Sequence, residues 1–140
     1  MRYLPVDFAE ERITDVLAGD GFDPAAPTLL VWEAVSQYLP RAAAEETLAF
    51  AGTLAPGSLL VFTYMPQSVI DGQKYARQVR RFQWQTGFDP AGLAAHLATH
   101  RLTLVSDLGA EEYQDRYLRP RNRALPVFPI ERVAVARISS

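Results

Sequence analysis

Apolar residues gather along this chain in short unbroken runs, and the stretches between the runs show helical spacing instead. "PTLLVWEAVSQYLP" (27–40) opens with one such run and turns polar at Glu33, while "SLLVFTYMP" (58–66), "LTLVSDL" (102–108) and "ERVAVARI" (131–138) repeat the pattern. A continuous apolar run of this length predicts a strand, and the Leu29–Trp32 run predicts one covered on both faces. "YLPVDF" (3–8) reads the same way, as an opening strand closed by Asp7. Between the runs, Ile13, Val16 and Leu17 lie at helical spacing before Gly19 and Gly21 stop them. Pro40 suits the first turn of a helix reaching about Leu54, with Ala44, Leu48, Ala51 and Leu54 or Ala55 as its buried stripe. A polar helix is predicted over 69–81. In "GFDPAGLAAHLATH" (87–100), Asp89 is expected to cap and Pro90 to start a further helix with Leu93 and Leu97 on its apolar edge. A short helix follows at 110–118, and "RYLRPRNR" (116–123) reads as a linker.

Strands alternating with helices imply right-handed crossovers and a largely parallel sheet with helices on both faces. Ligands of such sheets sit at the carboxyl ends of the strands. Asp7 and Glu33 both stand where an apolar run gives way to polar sequence, so both carboxylates are expected at that rim. Helix capping is the plain alternative for an acid so placed, and it weighs more heavily on Asp7 than on Glu33, whose following "AVSQYLP" delays the next helix.

Composition narrows the chemistry. A length of 140 residues suits one domain, and 49% hydrophobic with 21% charged residues is a globular balance. A net charge of −2 gives no general attraction to nucleic acid, so no nucleic-acid partner is expected. The absence of cysteine removes disulfides and thiolate chemistry and suits a cytoplasmic setting. Acidic residues interrupt the first positions too early for a secretory signal, and no apolar run approaches the roughly 20 residues of a membrane span. The basic segments 74–81 and 116–123 have acidic neighbours, and a solvated helix face explains them. Trp32 and Trp84 read as core or pocket wall. "HLATH" (96–100) has the i, i+4 histidine spacing of a zinc helix, but it lacks the glutamate of H-E-x-x-H and shows no third ligand, so no metal site is expected.

"LPVDF", "GFDPAAPTLLVWEAVSQYLP", "LAPGSLLVFTYM", "FQWQTGFDPAGLAAHL", "LVSDLGAEEYQDRYL" and "IERVAVAR", in that order, resemble the carboxyl-terminal half of the leucine carboxyl methyltransferase family. The resemblance implies a truncated Rossmann-like class I methyltransferase fold over 1–140: a mostly parallel sheet with an antiparallel C-terminal strand, lacking the first two strands. It also implies S-adenosyl-L-methionine as cofactor and a small-molecule methyl acceptor. Asp7 and Phe8 match the family's acidic and apolar pair that holds adenine, Glu33 matches its acid after the fourth strand, and Ala34 stands where a glycine is commoner. Tyr38 falls in the segment that faces the substrate. The family's glycine-rich loop and ribose-gripping acid are not found in these residues, so the chain by itself is expected to bind cofactor weakly and to be inactive. The alternative is a non-catalytic module that pairs through an open sheet edge, as in a homodimer.

Overall fold

The four apolar runs form one sheet. In the computed structural model, which describes residues 3–8 and 10–140, the strands are β1 (Leu29–Trp32), β2 (Leu59–Tyr64), β3 (Leu102–Leu108) and β4 (Arg132–Ile138), in the order β1-β2-β4-β3. β1 pairs parallel with β2, Leu29 opposite Leu59 through Trp32 opposite Phe62. β4 runs antiparallel to both β2 and β3. Within the sheet, parallel pairing is thus confined to β1–β2, because β4 separates two strands that share a direction. The β3–β4 register shifts between Leu104 and Ser106, leaving Val105 as a bulge that is 53% exposed.

Residues 3–8 are not a strand. Pro5 has no N–H to give a ladder, and the chain turns at once: the Asp7 carbonyl accepts from the N–H groups of Glu10 (3.0 Å) and Glu11 (2.7 Å), while Asp7 N–H donates to Glu11 Oε2. The expected two-sided cover of β1 also fails. Leu29 and Val31 are 63% and 57% exposed, and only Trp32 is buried. Successive residues of a strand face opposite ways, so one whole face of β1 is open.

Helix α1 (Ile13–Gly19) ends at the predicted glycines, and Gly21 takes a φ of +77°. α2 (Arg41–Ala51) begins directly after Pro40 and buries Ala44, Leu48 and Ala51 as its spacing requires. The polar helix expected over 69–81 is two pieces, α3 (Gln67–Asp71) and α4 (Ala76–Phe82). Gly72 makes the break: its backbone is extended, and a Cβ there would meet the Ser68 carbonyl oxygen at 2.4 Å. α5 (Leu93–Ala98) starts later than the sequence suggests, because Asp89 caps a local turn through Ala91 N–H instead of the helix. α6 (Ala110–Tyr113) continues into a wide turn at Gln114–Leu118 and a tight one at Arg119–Arg121, so much of the expected linker is helical. The core joins α2, α5 and the sheet through Leu48, Leu54, Leu60, Phe62, Leu97 and Leu102, all at or near zero exposure. No helix among the described residues is long and apolar enough to cross a membrane.

Candidate functional site

β1, β2 and β3 end on one side of the sheet, where β4 begins, and a cavity of about 170 Å³ opens there. Glu33 and Thr63 line it from β1 and β2, Leu108, Gly109 and Tyr113 from the β3–α6 junction, and Phe128 with Val133 from the approach to β4. Glu33, one residue past β1, is exposed and stands at the rim where its sequence position puts it.

The turn after Glu33 is held by named contacts. Ala34 has a φ of +56°, a left-handed conformation that costs a residue with a side chain about 1–2 kcal/mol. Its N–H donates to Thr63 Oγ1 at 2.8 Å, and the buried Ser36 hydroxyl donates to the Thr63 carbonyl at 2.8 Å. Thr63 therefore fixes the β1 exit from two sides. The short turn Ser36–Tyr38 is strapped to the segment before α5, with the Gln37 carbonyl accepting from Gln85 N–H (2.7 Å) and the Leu39 carbonyl from the Thr86 hydroxyl (2.7 Å). Tyr38 itself is 44% exposed, and its carbonyl accepts from the Gln85 side chain.

A second group lies under the same rim. The buried Tyr64 hydroxyl donates to Asp107 Oδ2 at 2.9 Å, and Arg132 Nε donates to both Asp107 oxygens at 3.0 and 3.1 Å. Burial, then the hydrogen bond and charge of Asp107, push the Tyr64 phenol above its ordinary value of 10, so it stays a donor. Burial works against the Arg132 charge, but Asp107 and Tyr64 outweigh it and raise the guanidinium further. The trio ties β2, β3 and β4 together where the cavity is built.

Asp7 is exposed on its turn, and Phe8 is half-buried against the main core. Neither lines the cavity that Glu33 lines, nor does Tyr38. Trp84 is buried with Met65 and Ile130 in a smaller cluster, stacked on Phe82 and edge-on to Phe128. The sequence reading missed one arrangement altogether. Glu45 on α2 brings Oε2 within 3.0 Å of His96 Nε2 and 2.9 Å of His100 Nε2. Nothing in "HLATH" itself signals a partner 55 residues from His100.

Comparison with known proteins agrees with the sequence resemblance. The family model described as leucine carboxyl methyltransferase matches residues 1–52, a span that includes Asp7, Phe8, Glu33 and Tyr38. No curated protein matches significantly. Among solved structures, a duf574 family protein from Streptomyces avermitilis is similar at 17% identity and a TM-score of 0.55, over 85% of this chain and 47% of its own. Geranyl diphosphate C-methyltransferase from Streptomyces coelicolor, solved with Mg2+, geranyl diphosphate and S-adenosyl-L-homocysteine, is similar at 12% identity and a TM-score of 0.54, over 84% of this chain and 48% of its own. A candidate methyltransferase from Thermobifida fusca gives 18% identity and a TM-score of 0.53, over 91% and 48%. At these identities the structures speak for the fold alone, and the chain spans about half the length of each. The chain thus resembles the leucine carboxyl methyltransferase family in its sequence, and it carries in its mixed sheet about half of a fold found in methyltransferases.

Proposed function

We propose that this chain serves S-adenosyl-L-methionine-dependent methyl transfer to a carboxylate or hydroxyl of a small molecule, as the carboxyl-terminal portion of the cofactor pocket. The observation that carries this reading is the family match over residues 1–52, which embraces the acid-plus-aromatic pair Asp7-Phe8 and the rim acid Glu33. Their chemistry suits the cofactor in part. A carboxylate accepts from an exocyclic amine, and the Phe8 ring offers an apolar surface to a purine. Glu33 stands at a strand's carboxyl end, where ligands of α/β sheets bind. The rim cavity, at about 170 Å³, is well below the roughly 300 Å³ at which small-molecule sites begin. None of the eight glycines forms a G-x-G-x-x-G loop.

The cofactor supplies a sulfonium methyl for in-line displacement, a reaction that rests on alignment and exclusion of water. In this reading Asp7 and Phe8 hold the adenine, Glu33 lines the pocket, and Tyr38 stands on the acceptor side. A glycine-rich segment supplies the remainder. Without two or three hydrogen bonds of about 1.5–3 kcal/mol each, affinity falls by several orders of magnitude. Isothermal titration with S-adenosyl-L-homocysteine tests this on the 140-residue chain and on a version carrying a glycine-rich amino-terminal half. Millimolar or weaker binding is expected for the former and micromolar for the latter, with Asp7→Asn and Phe8→Ala each weakening the latter. Micromolar binding by the short chain, or indifference to both substitutions, would overturn the assignment.

The outer edge of β1, which has no strand partner among the described residues, favours a second reading, a non-catalytic module that pairs through that edge. Light scattering separates the two: a stable homodimer with no cofactor binding in either version supports the second.

A further inference from the structure

We propose that Glu45, His96 and His100 form a three-ligand site for a first-row divalent cation, with Zn(II) the best match. The third ligand that "HLATH" lacks comes from α2. Glu45 presents one carboxylate oxygen, Oε2, to both imidazoles, at 3.0 Å from His96 Nε2 and 2.9 Å from His100 Nε2. All three candidate ligand atoms lie within 4.8 Å of one another, in partly buried side chains. Around tetrahedral zinc, with bonds of about 2.0–2.1 Å, ligand atoms stand about 3.3 Å apart. The two Glu45 edges need to open by only a few tenths of an ångström, and the His96–His100 edge, at most 4.8 Å, closes to that spacing through the side-chain torsions of the two partly buried imidazoles.

An ordinary histidine–carboxylate pair accounts for half of this arrangement. His100 Nε2 is hydrogen-bonded to Glu45 Oε2. His96 Nε2 is close to the same oxygen and shut off from solvent, yet it has no hydrogen-bond partner among the described residues. A buried ring nitrogen that lies beside a carboxylate oxygen without an aligned hydrogen bond leaves its polar capacity unmet, which is costly. A cation would use that lone pair together with those of His100 and Glu45.

The backbone around the cluster is closely fixed. Gly52, just past α2, approaches the His100 carbonyl so closely that a Cβ would lie 2.0 Å from its oxygen, and Arg101 donates to the Gly52 carbonyl. The second Glu45 oxygen is braced by Arg41 at 3.4 Å, and Arg41 is itself tied to the Gln67 side chain and the Gly87 carbonyl. Such outer partners orient ligating groups. Three protein ligands leave a fourth position. A cavity of about 440 Å³, which Glu45 and His96 help to line, lies beside the cluster to admit water or a small anion.

The test uses tag-free 140-residue protein and the metal alone. Titration with Zn(II) is expected to saturate at one equivalent with micromolar affinity, and Co(II) to develop the visible bands of a four-coordinate ion. Glu45→Gln, His96→Gln and His100→Gln should each weaken Zn(II) binding at least about tenfold, with circular dichroism reporting whether each variant is folded. Nitrogen-15 shifts of the histidine rings in the unmutated protein give an answer that needs no variant: both Nε2 atoms should move on adding Zn(II). Unmoved ring nitrogens, a cobalt spectrum like that of the free six-coordinate ion, or equal affinity in the folded variants would overturn the site.

Discussion

β1 and β2 are nearly the same text, LLVW and LLVFTY, and they lie side by side in register. Their surroundings differ. In β2, Leu60, Phe62 and Tyr64 are wholly buried, and Thr63 nearly so. In β1 only Trp32 is buried, while Leu29 and Val31 face outward. An apolar run therefore encodes a strand, and its neighbours decide its burial: β2 lies between β1 and β4, whereas β1 has one strand partner among the described residues.

The largest contrast should come from Phe62→Ala. Phe62 touches the rings of Trp32, Tyr64 and Phe88, and its loss should destabilise the fold by about 3–5 kcal/mol in urea unfolding. A cost below about 1 kcal/mol would mean that the β2 core is no tighter than β1. Tyr64→Phe removes one hydrogen bond to a charged group and should cost about 1–2 kcal/mol. It should also change the alkaline limb. The Tyr64 phenol is raised in the folded state, so above pH 10 the unfolded chain loses its proton first, and stability falls as pH rises further. The Phe variant should lack that share of the decline, which unfolding curves between pH 9 and about 11 would reveal.

Beyond the end of β1, Ala34→Gly relieves a left-handed residue but loosens the unfolded chain. The two effects nearly cancel, leaving a gain between zero and about 1 kcal/mol, visible as a small rise in Tm. The smallest change belongs to Val31→Thr, expected to stay within about 0.5 kcal/mol because that face meets solvent. A cost of 2 kcal/mol or more, on the order of a core deletion, would show that the face is covered in solution and would erase the distinction between the strands.

Much of this fold was legible. Runs of Leu, Val and Phe marked the four strands, and the spacing of Ala44, Leu48 and Ala51 marked α2, since burial repeats with the period of the element. "YLPVDF" misled because apolar content outweighed Pro5 and the turn-forming Asp7, which local chemistry favoured. The break at Gly72 was visible as a glycine, but the close Ser68 carbonyl that excludes a side chain there exists only in three dimensions. Glu33 could be placed at the rim because a strand's end is a one-dimensional property. Glu45 could not be linked to His96 and His100, because that contact depends on how α2 and α5 pack over the sheet.

The bulge at Val105 makes the two borders of the sheet unequal. On the outer side of β3, donors and acceptors lose their even rhythm midway, so an incoming strand would match one half of it and be out of step with the other. The outer side of β1 is short but regular across Leu29–Trp32. Lateral growth of this sheet, ordered or aberrant, is thereby directed to one side of the molecule.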